Sequence, residues 1–170
     1  MSIVLIGYRG SGKTSIGRAV AQLLKWPFVD ADEEIVKRAG KSIKDIFAQD
    51  GEASFRELET HVVKLLMTKK SYVISLGGGA VVREENRKAI QAAKATVVYL
   101  RADAKTLYER IQADTKTAEN RPALTAMKGL HEVEHLLKTR TPGYLAVMTN
   151  VLDVNNLSIE KAAERIVKMI

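Results

Sequence analysis

Eight residues near the N-terminus, Gly7-Tyr8-Arg9-Gly10-Ser11-Gly12-Lys13-Thr14, constrain this chain more than any other stretch in it. They fit G-x-x-x-x-G-K-[ST] at every fixed position. The glycines let backbone N–H groups curl around phosphate oxygens. Lys13 reaches toward the β- and γ-phosphates, and the Thr14 hydroxyl stands where Mg²⁺ is held. The context is also the one the motif demands, because an apolar run, Ile3–Ile6, precedes it and a helical pattern follows. A helix opening near Lys13 turns its positive end toward the anion. A phosphate donor is therefore expected here, bound by Gly10, Ser11, Gly12, Lys13, Thr14 and the adjoining Ser15. The motif is silent about the acceptor.

Short apolar runs recur downstream at Pro27–Val29, Tyr72–Leu76, Thr96–Leu100 and Asn150–Val154. Helical patterns separate them at 13–25, 31–39, 42–68, 83–93, 103–112, 127–139 and 158–169. Strands alternating with helices predict an α/β fold with a five-stranded parallel sheet covered on both faces. Ser42-Ile43-Lys44-Asp45 has the form of a capping box with Asp in place of Glu. Residues 113–126, ADTKTAENRPALTA, are polar and lack a period, which suits a lid or a disordered segment. One domain over 1–170 is expected.

The chain has 170 residues and a net charge of +7, but its 27 Lys and Arg are spread along it rather than clustered. With few aromatic residues among them, no nucleic-acid stacking platform emerges. Anionic small molecules are the alternative partners. Cysteine is absent, which excludes disulfides and thiol chemistry. No run approaches the length of a membrane span. A cytoplasmic enzyme, with neither nucleic acid nor membrane as partner, is the expectation.

Several residues are candidates for the acceptor side. Asp30 and Asp32 follow the second apolar run in FVDADEE. At the C-terminal end of a parallel strand, one carboxylate can support Mg²⁺ and the other can take a hydroxyl proton. They can equally be a helix cap and a first-turn acid. Arg56 has Glu59 at i+3, a spacing that fits either a held guanidinium or a solvated pair. Gly77, Gly78 and Gly79 directly follow a strand, where glycine suits a close backbone approach to a ligand. Arg140 precedes Thr-Pro-Gly-Tyr, and two fork-forming arginines suggest a carboxylate on the acceptor. HEVEH at 131–135 matches a zinc motif, but the remaining histidine, His61, is remote in sequence. An amphipathic helix with Leu130, Val133 and Leu137 inward, and Glu132, Glu134, His135 and Lys138 in solvent, is the expected reading.

Taken in order, GYRGSGKT, DADEEI…AGKSIKDIFAQDGEASFRELE, LGGGAV, RPAL and RTPGY resemble shikimate kinases. The likeness runs from about residue 3 to 160. It implies a three-layer α/β/α P-loop fold of the nucleoside-monophosphate-kinase-like type, with a mobile lid. The implied activity is ATP- and Mg²⁺-dependent phosphorylation of the 3-hydroxyl of shikimate, on the way to chorismate and the aromatic amino acids. Carried over, Lys13 contacts phosphates, Thr14 and Asp30 attend the metal, and Asp32 is the base on the shikimate hydroxyls. Arg56 and Arg140 grip the carboxylate. Gly77, Gly78 and Gly79 line the pocket, and Phe47 and Phe55 wall the ring. Arg121 reaches the transferring phosphate, Arg110 packs against adenine, and Asn155 joins the nucleotide-binding set. The acceptor region spans about 30–60, and a monomer is expected. The usual R-P-L-L of the lid is Arg121-Pro122-Ala123-Leu124 here, after Glu119 and Asn120, and the usual R-x-P-L-Y has Gly143. A gluconate-kinase-like enzyme and a catalytically silent binding module are the alternatives.

Overall fold

A computed structural model describes residues 1–114 and 128–170. Most of the expected lid, with Arg121, lies outside the described residues. The strands are β1 (Ser2–Ile6), β2 (Phe28–Asp30), β3 (Val73–Ser75), β4 (Ala95–Arg101) and β5 (Asn150–Asp153). They form one parallel sheet in the order β2-β3-β1-β4-β5. β1 is central, with Ile3 beside both Val73 and Thr96. All five of its residues are buried, as a strand covered on both faces requires.

Alternation along β1 divides the core. Val4 and Ile6 pack with Ile74, Leu76, Val97 and Tyr99 on one face, against Ile35, Val62, Val63 and Leu66. Ile3 and Leu5 pack on the other, with Val73, Val98 and Leu100, against Ile16, Val20, Leu107 and Ile166. The covering helices are α1 (Lys13–Leu24), α2 (Ala31–Ala39), α3 (Ile43–Met67), α4 (Glu84–Ala92), α5 (Ala104–Ala113), α6 (Leu130–Val147) and α7 (Ile159–Val167). Among the described residues no helix is long and apolar enough to cross a membrane.

Two helices depart from the sequence expectation. The helix expected over 42–68 is α3, but Gly51 breaks it, with φ 84° and ψ 167°. Asp50-Gly51 is a breaker pair inside a helical pattern, and the apolar period alone hides it. The helix expected to end at 139 runs on to Val147 as α6, with Pro142 inside it. Proline removes a helical donor. Here the hydroxyls of Thr139 and Thr141 donate to the carbonyls of His135 and Leu137, at 2.9 and 2.6 Å. Burial of Tyr144 and Val147 holds the last turn against the core. The capping box at Ser42 forms in modified shape. Asp45 N–H donates to Ser42 Oγ at 3.1 Å, and that hydroxyl donates back to the Asp45 carboxylate at 2.8 Å.

Candidate active site

The motif loop leaves β1 and enters α1 through two left-handed glycines, Gly10 at φ 82° and Gly12 at φ 89°. The first turn of α1 carries no acidic residue, so its positive end is left for an anion. Lys13 Nζ donates to the carbonyls of Gly7 and Tyr8 at 2.8 and 2.9 Å, which folds the ammonium across the loop. A cavity of about 230 Å³ opens above it, lined by Gly10, Gly12, Lys13, Thr14, Ser15, Asp30 and Arg110, among others. Ser11 is buried and does not line it.

Asp30 is a helix cap, and its second carboxylate oxygen meets Thr14. As the last residue of β2 it caps α2, its Oδ1 accepting from Asp32 N–H at 2.9 Å. Its Oδ2 accepts from the Thr14 hydroxyl at 2.8 Å. Thr14 and Asp30 thus present adjacent oxygens, the donor type that Mg²⁺ prefers. Arg110 is steered by the chain after β5, donating to the carbonyls of Val154 and Asn155 at 2.6 and 3.3 Å. The Asn155 side chain is turned elsewhere, accepting from Asp103 N–H and donating to Asp153. It is not among the residues that line the cavity, and its carbonyl accepts from Arg110 at 3.3 Å.

A second cavity, of about 350 Å³, gathers the acceptor candidates Asp32, Phe47, Phe55, Arg56, Gly77, Gly78, Gly79 and Arg140. Arg9, Asp32 and Gly78 line both cavities, so the Asp32 carboxylate stands where the two meet. Phe47 and Phe55 sit as a tilted pair, ring centroids 4.8 Å apart. Arg56 and Glu59 form a buried pair at 2.8 Å rather than a solvated one, with side chains 12% and 3% exposed. Burial pushes the Glu59 carboxyl up, and the pull of Arg56 opposes this.

The three glycines make room for side chains. A Cβ on Gly79 would lie 2.6 Å from Arg56 Nη1, and one on Gly77 2.8 Å from Asp32 Oδ1. Arg140, on α6, is also buried, with its guanidinium over the Tyr8 ring at 5.4 Å.

Sequence reasoning missed part of this wall. Tyr8 and Arg9 line the acceptor cavity from the variable positions of the motif, where the pattern carries no signal. Glu132 lines it too, and so faces the cleft rather than solvent as expected. The apolar stripe of α6 could not reveal this, because Val133 and Glu132 both border the cavity. His131 does stand in solvent, 87% exposed, with Nδ1 3.6 Å from Glu134.

A phosphate loop after the central strand of a parallel sheet, with a metal-type oxygen pair and a shared acid before a second pocket, defines a P-loop phosphotransferase of the nucleoside-monophosphate-kinase-like fold. Comparison with known proteins narrows this class. The family model described as shikimate kinase matches residues 9–170. A shikimate kinase of Thermodesulfovibrio yellowstonii is 40% identical over 168 residues, covering 98% of this chain and 93% of that protein. One from Enterococcus faecalis is 38% identical over 169 residues, covering 99% and 98%. The solved structure of a shikimate kinase from Acinetobacter baumannii in complex with shikimate superposes with a TM-score of 0.91. It is 34% identical, with 99% of this chain and 91% of that one covered. The chain belongs to the shikimate kinase family.

Proposed function

We propose that the chain transfers the γ-phosphoryl group of ATP to the 3-hydroxyl of shikimate. The observation that carries this reading is Asp32, which borders the phosphate cavity and the acceptor cavity at once. In the same acceptor cavity stand Arg140, buried, and Arg56, mostly buried, which suit a planar carboxylate. The acceptor carboxylate lies between Arg56 and Arg140, its ring against Phe47 and Phe55, and its hydroxyl at Asp32.

As the hydroxyl oxygen attacks the γ-phosphorus, Asp32 takes its proton. The new O–P bond forms while the bond to the bridging oxygen breaks, and ADP leaves. Loop N–H groups and Lys13 hold the charge that accumulates on the phosphates. Thr14 and Asp30 are the residues that would hold Mg²⁺, largely through water. When bound with ATP, the ion supplies neutralisation of the β- and γ-oxygens. By the same resemblance Arg121 acts on the transferring group. Arg110 borders the nucleotide, and the chain works in the cytoplasm as a monomer.

The test is a coupled ADP-release assay with shikimate, quinate, gluconate and nucleoside monophosphates as acceptors. Rapid turnover confined to shikimate is the expected result. Faster turnover of gluconate, or none with any acceptor, would overturn the reading.

A further inference from the structure

Tyr144 sits one helical turn beyond Arg140 on α6 and is fully buried. Its ring stacks on Tyr99 of β4, centroids 4.9 Å apart. Its hydroxyl donates to the carbonyl of Gly78 at 2.6 Å. Burial pushes the phenol far up from its ordinary value, so it remains a neutral donor throughout the working pH range. Gly78 is itself buried, and among the described residues this hydroxyl is the one partner of its carbonyl.

A trans peptide is rigid, and its C=O and N–H point in opposite directions. Holding the Gly78 carbonyl therefore sets the direction of the Gly79 N–H, in a stretch that lines the acceptor cavity. The approach of α6 is close at this point. A Cβ on Gly143 would lie 2.9 Å from the Val81 carbonyl, so a glycine is needed between Pro142 and Tyr144. The Arg140 guanidinium reaches the same peptide, 3.4 Å from where a Gly78 Cβ would stand.

We propose that Tyr144 is a positioning residue of the acceptor site. Its hydroxyl locks the glycine loop to the helix that carries Arg140, so that both meet the acceptor in one fixed relation. The inference rests on the shikimate-phosphorylating reading above.

The test is Tyr144→Phe, assayed for both substrates beside the wild type and Tyr99→Phe. Loss of the hydroxyl strands a buried carbonyl and frees the loop. The shikimate KM should rise at least about fivefold, with the ATP KM within about twofold. Tyr99→Phe keeps the Gly78 bond and should leave both KM values near wild type. A purely structural Tyr144 would lower Tm and leave the shikimate KM within about twofold, which overturns the proposal. If Tyr144→Phe does not fold, Gly143→Ala, which pushes α6 off Val81, takes its place. An unchanged shikimate KM in that variant overturns the proposal equally. A wild type inactive on shikimate would instead defeat the functional reading on which this inference rests.

Discussion

The phosphate loop and the acceptor cavity adjoin, yet they are built in opposite ways. The loop is eight consecutive residues whose backbone N–H groups suit an anion, and its geometry follows from glycines and the start of a helix. The acceptor cavity draws side chains from α2, both halves of α3, α5 and α6, and backbone from the glycine turn after β3. Each is exact only because something else holds it. Arg56 needs Glu59, Gly79 must be small for Arg56, and Arg140 lies over Tyr8. Damage to the loop should therefore strike the chemical step, and damage to the cavity should strike acceptor binding.

Lys13→Ala offers the hardest test of that division. On the proposed reading its charge meets phosphate rather than core, so kcat should fall by roughly 10²–10³-fold with Tm little changed. Steady-state kinetics beside thermal unfolding would show it. Retention of more than about a tenth of wild-type kcat would break the division at its first member.

Asp32→Asn probes the boundary between the two regions. The amide keeps the shape and can hydrogen-bond a hydroxyl, but it cannot take the proton. A loss of about 10²-fold in kcat, with a smaller rise in shikimate KM, is expected. Near-normal turnover would return Asp32 to the first turn of α2 as a helix-stabilising acid.

Arg56→Lys and Arg140→Lys sharpen the cavity side. Each keeps a charge and loses the planar fork, so shikimate KM should rise about tenfold while ATP KM holds. Equal effects on both substrates in initial-rate measurements would show that the two regions are not separable.

Glu59→Gln carries the smallest expected effect, and its sign follows from the raised carboxyl. The folded chain holds the Glu59 proton more tightly than the unfolded chain does. Protonation therefore favours the fold, and this contribution is lost as pH rises from the ordinary value of 4.5 through the raised one. Thermal unfolding across that range should show a shallower fall with pH in Glu59→Gln than in wild type. Parallel curves would mean that Glu59 titrates as an ordinary surface acid.

The same contrast explains what was legible in the sequence. The loop, the five strands and Asp30 could be read from motif and composition, because each is marked by a short run of residues, although the pairing of the strands is long-range. Arg56, Arg140 and the glycines could be seen one at a time. Their meeting came from resemblance, since no local pattern says that residues 56, 79 and 140 line one cavity. The helices at Gly51 and Pro142 misled in opposite senses. A single period ran across the break at Gly51, and the pattern that stopped at 139 missed the turns that tertiary burial of Tyr144 adds past Pro142. Tyr8 and Glu132 gave no sign, because which side of a loop or helix edge meets a cavity is settled by the packing of other elements.

The central place of β1 has a consequence for synthesis. β1 finds its partners only at Val73 and Ala95, far along the chain from it. Until both have emerged, β1 lacks at least one neighbour, and the nucleotide-gripping turn lacks its full platform. A nascent chain halted before β4 should therefore bind no ATP, however complete its N-terminal motif. The slow step in maturation becomes the closing of long-range parallel pairs, the kind of contact that delays folding most. Throughout that interval the aliphatic run Ile3–Ile6 is exposed to other chains, which makes β1 a target for chaperone capture.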